Sequence, residues 1–312
     1  MLRFLIRRSI QSAVLLLVVT SGVFFLVHMT PGGPEAALLQ NPRIGPEQVQ
    51  RLRENFGLDQ PLAVQYLKWL GSAARLDFGR SYFYSRPATD VVAERLGPTL
   101  QLGVMSYAVA LLGVPLGIVA GLNRGRLADV LVRLIATIGH AVPTWWLGLT
   151  SVVLLSSLTG WFPNGQGQGS PGEWLKYISL PAVVLGLAGL VTFARFVRSG
   201  VLEVLAEDYV RTAQAKGLPG SMVTMRHVLR NALLPVMTLL GGLLPAVVSG
   251  ALVTEYVFAW PGIGRLFYEA AVSRDYPIVL AVLSLTTFAT ILGTLLADLS
   301  YGVVDPRVRY TW

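Results

Sequence analysis

Residues 203–235 read EVLAEDYVRTAQAKGLPGSMVTMRHVLRNALLP, a charged, helix-forming segment with Gly217 at its centre and an apolar run on either side. The setting of this segment decides the fold. Working outward from it, six runs bounded by charge approach or exceed the roughly 20 apolar residues a spanning helix needs. They are residues 9–29, 99–122, 134–158, 177–194, 231–254 and 276–297, the fourth being the shortest. The fold class that follows is an all-α membrane protein with six transmembrane helices. The segment at 203–235 is then the longest polar interruption within the last five spans.

Composition agrees. Of 312 residues, 53% are hydrophobic and only 13% charged, against about 25% charged in a soluble domain. Mean hydropathy is +0.58. The chain has no cysteine, which excludes disulfides and thiolate metal sites. A net charge of +8 would suggest nucleic acid in a soluble protein. Here the basic residues flank apolar runs, so membrane orientation explains them and no nucleic-acid partner is implied.

With the N-terminus inside, the inner segments hold fourteen Lys and Arg, the two short outer loops only three, and the long segment after the first span eight. Long loops obey the positive-inside rule poorly, so the fourteen-to-three contrast carries the assignment. Both termini are then cytoplasmic. The first run follows Arg3, Arg7 and Arg8, but it is longer than a signal h-region and no small-residue cleavage site follows it, so it reads as an uncleaved anchor. Three parts result: a first transmembrane helix at 1–30, an extracytoplasmic helical segment at 31–98, and a five-span core at 99–312. In the outer segment, residues 46–57 and 62–76 have helical periodicity, with Pro61 placed to start a helix. Tyr82, Phe83 and Tyr84 suit the headgroup level.

Pro115, Pro143, Pro181, Pro235 and Pro245 lie in or beside spans and favour kinks. Gly113, Gly117 and Gly121 make a small-residue stripe for close helix packing or, alternatively, for a pore lining. His140 stands alone in its span and reads as a packed neutral histidine rather than a proton relay. Asp298 reads as tied to nearby backbone or Arg groups. None of the three lysines follows a glycine, so a Walker A phosphate loop is absent; so is H-E-x-x-H. No catalytic residue, cofactor site or metal site is expected. With few ionisable groups in the spans, coupling to protons has little to work through.

Residues 203–216 alternate apolar and charged positions as an amphipathic helix. Gly217 stands where a C′ glycine belongs. Leu218, Pro219 and Gly220 turn the chain, and Ser221 is placed to cap a second helix reaching Asn231. Two readings fit: a knob offering Gly217 for close approach by another protein, or an amphipathic loop resting on lipid headgroups.

This segment resembles the coupling (EAA-type) loop of binding-protein-dependent ABC importer permeases. More narrowly, the chain resembles the dipeptide/oligopeptide permease family, in the member with the long outer segment after the first span. The likeness runs through Asp77-Phe78-Gly79-Arg80-Ser81, Ala93-Glu94-Arg95-Leu96, residues 138–148 and Asp208-Tyr209-Val210-Arg211-Thr212-Ala213. It continues through Arg226-His227, Glu255-x-Val257-Phe258-x-Trp260-Pro261-Gly262-x-Gly264, Arg274-Asp275-Tyr276-Pro277 and the tail Asp305-Pro306-Arg307. Arg211 and Thr212 depart from the general E-A-A pattern, and the interval from Gly217 to Pro235 is longer than that pattern has.

The resemblance implies a type I ABC importer permease fold and a non-catalytic subunit in a bacterial or archaeal cytoplasmic membrane. It implies a second homologous permease, two ATPases that carry ATP and Mg, an extracytoplasmic solute-binding protein and a peptide cargo. A coupling loop within 199–231 is implied, carried by Tyr209, Arg211, Thr212, Ala213, Lys216, Gly217 and Leu218. Glu255, Phe258, Trp260, Pro261 and Gly262 would form an outer mouth, or a re-entrant cap that only packs on its neighbours. The same architecture carrying nickel chelates, glutathione, haem or oligosaccharides is the alternative. A membrane enzyme or stand-alone channel lacks the clusters it would need.

Overall fold

In a computed structural model, residues 2–30, 50, 54, 57–160, 173–233, 236, 247 and 251–304 are described. Among them every regular element is helical: α1 Leu2–His28, α2 Leu62–Ala73, α3 Ala88–Leu111, α4 Gly113–Leu122, α5 Leu127–Ala141, α6 Thr144–Thr159, α7 Trp174–Leu205 and α8 Asp208–Ala215. Then come α9 at 220–232, α10 Leu252–Val257, α11 Ile263–Ser273 and α12 Tyr276–Val304.

Four stretches are long and apolar enough to cross a membrane: α1, the α3–α4 pair, α7 and α12. The α5–α6 pair makes a fifth if it is one bent span. Most of the fifth expected span, with Pro235 and Pro245, lies outside the described residues, as do the tail from Asp305, most of the helix expected at 46–57 and the side chain of Asp298.

The fourth run, which looked shortest, forms the longest helix, 32 residues. Reading from charge to charge cut it at Arg195. A charged side chain does not interrupt backbone hydrogen bonding, so the helix continues. At 1.5 Å per residue α7 is about 48 Å long, well beyond a hydrocarbon core of about 30 Å. Its far end must therefore project.

The prolines act unequally. At Pro143 the chain bends by 96° between α5 and α6. Pro115 leaves the Leu111 carbonyl without its helical donor, and the α3–α4 break falls at Leu112. Pro181 sits inside α7 without ending it.

Helix α7 is the spine. A Cβ on Gly113 would come within 2.1 Å of the Leu190 carbonyl oxygen, and one on Gly117 within 2.6 Å of the Ala194 carbonyl oxygen. The glycine stripe therefore presses α4 onto the backbone of α7. A second cluster joins Val91 and Val92 of α3, Ile263 and Leu266 of α11, and Ile278 and Val282 of α12. On the rim, Phe24 of α1 packs on Tyr66 and Trp69 of α2, and Ser21 shares a 2.7 Å hydrogen bond with the Tyr66 hydroxyl.

His140 is not the packed histidine expected from sequence. It lies exposed at the end of α5 and lines a groove shared with α7. The reason is its register: Arg133, Thr137 and His140 recur at i, i+4 and i+7 and share one helix face, away from the apolar one.

Candidate functional site

Residues 206–232 form a knob at the projecting end of α7. The sequence pattern suggested one helix over 203–216, but the chain breaks at Ala206 and Glu207, where Glu207 is extended (φ −70°, ψ 144°). Leu205 and Val210 would lie about 140° apart on a straight helix. The break lets Leu205, Val210 and Ala213 join Val197, Val201, Val223, Val228 and Ala232 in one apolar cluster. Helix α8 ends in a Schellman motif. Gly217 N–H donates to Gln214 O (2.9 Å) and Leu218 N–H to Ala213 O (3.4 Å). Gly217 has φ +73°, a conformation that favours glycine.

Helix α9 starts at Gly220 after an extended Pro219, and no side chain caps it, so Ser221 does not do what its position suggested. A π-helical stretch, Val223–Val228, runs through its middle. The Asn231 amide donates to the Tyr209 hydroxyl (2.8 Å) and ties α9 to α8.

Of the residues singled out here, Tyr209, Arg211, Thr212, Lys216 and Gly217 are exposed. Arg211 pairs with Asp208 at 3.6 Å on the same surface. Ala213 is buried and Leu218 half-buried in the knob's own core. A Cβ at Gly217 would meet nothing within 4 Å, so this corner is open to a close-fitting surface.

At the opposite end of α7, the residues from Glu255 to Gly262 turn inward. Glu255, Phe258 and Trp260 are buried. Thr99 donates to Glu255 Oε1 (2.9 Å) and accepts from Ile263 N–H (2.7 Å), while Arg265 N–H donates to Glu255 Oε2 (3.1 Å). The carboxylate thus seats on the first turn of α11, where unpaired amides favour negative charge. Burial pushes its carboxyl above the usual carboxylate range, against the pull of these donors. Trp260 Nε1–H donates to Pro98 O (2.9 Å). A Cβ on Gly262 would fall 2.4 Å from the Glu255 carboxylate, which explains the glycine in Trp260-Pro261-Gly262. These residues lock a cap onto α3.

A neighbouring lock was not foreseen. Asp275 is buried; the Ser81 hydroxyl donates to it, and the Tyr82 and Phe83 N–H groups donate at 3.2 Å each. It joins Asp77-Phe78-Gly79-Arg80-Ser81 to Arg274-Asp275-Tyr276-Pro277, two motifs almost 200 residues apart. Both were visible in the sequence, but nothing local told that they meet.

A helical chain with several membrane-length helices and a polar knob beyond one of them has the framework of a membrane component. Residues 113–310 match the family described as binding-protein-dependent transport system inner membrane component, and residues 1–103 match that family's N-terminal region. The chain belongs to this family, the peptide-permease branch of ABC importers. It is 37% identical over 317 residues to the oligopeptide transport system permease protein AppB of Bacillus subtilis, covering 99% of this chain and all of that one. It is 38% identical over 311 residues to the glutathione transport system permease protein GsiC of Escherichia coli, with 99% and 100% covered.

Proposed function

We propose that this chain is one permease subunit of an ATP-driven peptide importer. It pairs with a second homologous permease, and the solute path runs between the two. Two ABC ATPases bind beneath, holding the ATP and Mg, and a solute-binding protein docks outside. The chain crosses the membrane six times, with residues 231–254 as the fifth span and both termini in the cytoplasm.

The observation that carries this reading is the knob. It has its own apolar core, it is fixed to the projecting end of α7, and it offers an exposed corner at Gly217 with a positive φ. A loop lying on lipid would turn its apolar residues outward; here Val210, Ala213, Val223 and Val228 turn inward, and Met222 and Met225 are, with Tyr209, the large apolar side chains left exposed. Such a unit is built to transmit force, because α7 packs closely along α4. Tyr209, Arg211, Thr212, Lys216 and Gly217 then meet the ATPase, and Ala213 and Leu218 hold the knob's shape. Glu255, Phe258, Trp260, Pro261 and Gly262 shape the outer mouth by locking its cap rather than by touching solute.

Peptide cargo is supported by the name of the Bacillus relative, an oligopeptide permease, and the Escherichia relative supports glutathione, itself a tripeptide, as the second reading. Reconstitution by omission tests the assignment. Vesicles holding all four membrane and ATPase subunits, with binding protein supplied outside, accumulate labelled peptide on ATP. Vesicles lacking this chain do not. Uptake that persists without it, or that occurs with this chain alone, contradicts the proposal.

A further inference from the structure

Between α5 and α7 runs a groove of about 550 Å³. On α5 it is lined by Arg133, Thr137 and His140. On α7, Arg195, Arg198 and Ser199 line it, and Thr192 and Phe196 extend it beside His140 and Arg195. Apart from Ala136 and Phe196, every side chain in the lining can donate a hydrogen bond. Asp129, the carboxylate that pairs with Arg198 and Arg133 of the lining, is already engaged. It accepts from Arg198 at 2.5 and 3.1 Å and from Gly125 N–H at 2.9 Å, and it lies 3.5 Å from Arg133. Among the described residues no carboxylate pairs with Arg195. The groove therefore has a surplus of positive charge.

Its placement excludes lipid tails. Thr192, Arg195 and Ser199 recur at i, i+3 and i+7, opposite the face on which Ala194, Val197 and Val201 receive α4. On α5 the opposite face carries Leu131, Leu134, Ile135 and Ile138, all about half exposed. That apolar face suits hydrocarbon; the polar one does not, since ionisable groups at membrane depth face a bundle interior or water. Depth separates the two ends of the groove. Arg195 lies 21 residues beyond Trp174, about 32 Å along α7 and hence near the inner edge of the core. From Arg133 to His140 the groove climbs roughly 10 Å deeper.

We infer that the α5–α7 groove lines the aqueous path of the importer and receives the carboxylate end of the passing solute. The inference rests on the importer reading above and names the residues that would touch cargo. Arg195 supplies the planar, two-pronged donor that fits a carboxylate. The peptide C-terminus is such a group.

The chain's lack of cysteine makes the test direct. Single Thr137→Cys, Thr192→Cys and Ile135→Cys variants are assembled with the other subunits and binding protein in phosphatidylcholine vesicles. Modification of this chain by sulfonatoethyl and trimethylammonioethyl methanethiosulfonate is followed by mass. The anionic reagent modifies Thr137→Cys and Thr192→Cys about tenfold faster than the cationic one, the gain expected of a focused positive field. Arg195→Gln abolishes that preference and Arg195→Lys restores it. Free-acid peptide with binding protein and ATP protects both sites, and Ile135→Cys stays unmodified.

Groove cysteines as inert as Ile135→Cys overturn the inference, as does a preference indifferent to Arg195→Gln. Protection by added phosphatidylglycerol without peptide assigns the anion to a headgroup phosphate and overturns it too. If these failures occur in a complex that still imports peptide, the importer reading stands and this inference alone falls. A wild-type complex without uptake sinks both.

Discussion

Single residues do two different jobs here, and they differ in how readable they are. Gly217 was legible: helix formers before it, Leu-Pro-Gly after it, and a C′ position that wants a positive φ together predict the turn that forms. Asp275 was not. Its role depends on Ser81 and on the amides of Tyr82 and Phe83, which the sequence holds far away. Removing it takes the acceptor from the buried Ser81 hydroxyl and from two part-buried amides, at about 1–3 kcal/mol. Asp275→Ala should therefore lower the thermal midpoint of the purified complex in detergent, and Asp275→Asn should recover part of the loss. An unchanged midpoint in Asp275→Ala would show that the two motifs are not held by this residue. The same logic explains Thr99 and Glu255, whose pairing needs the cap to fold back on α3.

Among the elements, apolar length located the spans but misjudged their ends. Charge is not a boundary in α7: the helix passes Arg195 and Arg198 because side-chain charge leaves its backbone hydrogen bonds intact, and Arg198 then pairs with Asp129 of α5. The amphipathic segment misled in the opposite way, since its periodicity continues across the break at Ala206 and Glu207. What closes the break is a shared apolar cluster, a tertiary cause with no local signal. The glycine stripe was readable as close packing, and its partner is now α7. Gly117→Leu would push a branched side chain into the Ala194 carbonyl and Val197. An overpacked site of this kind costs about 1–3 kcal/mol. The variant should lower the denaturation midpoint in detergent and reduce assembled complex in membranes. Normal assembly and midpoint would remove α4–α7 packing from the account.

At the scale of the whole molecule, the family and the membrane character were legible from motif order and composition. The architecture of the cap built around Glu255 and Trp260 was not, because it is built from pairings between distant segments. Orientation makes its own prediction. A cysteine replacing Ser221 should react with a membrane-impermeant maleimide only after the cells are opened, and one replacing Phe83, which is largely exposed, should react in intact cells. The reverse pattern would invert the molecule. The central claim is that this chain has no engine and is moved through its knob. It is tested most directly by Gly217→Trp in the reconstituted complex, measuring ATP hydrolysis on adding peptide-loaded binding protein. The account predicts that Gly217→Trp assembles but loses most of the stimulation and the accompanying uptake. Gly217→Ala, which carries a strain of only about 1 kcal/mol at this φ, keeps most of both. Full stimulation and uptake in Gly217→Trp would contradict it.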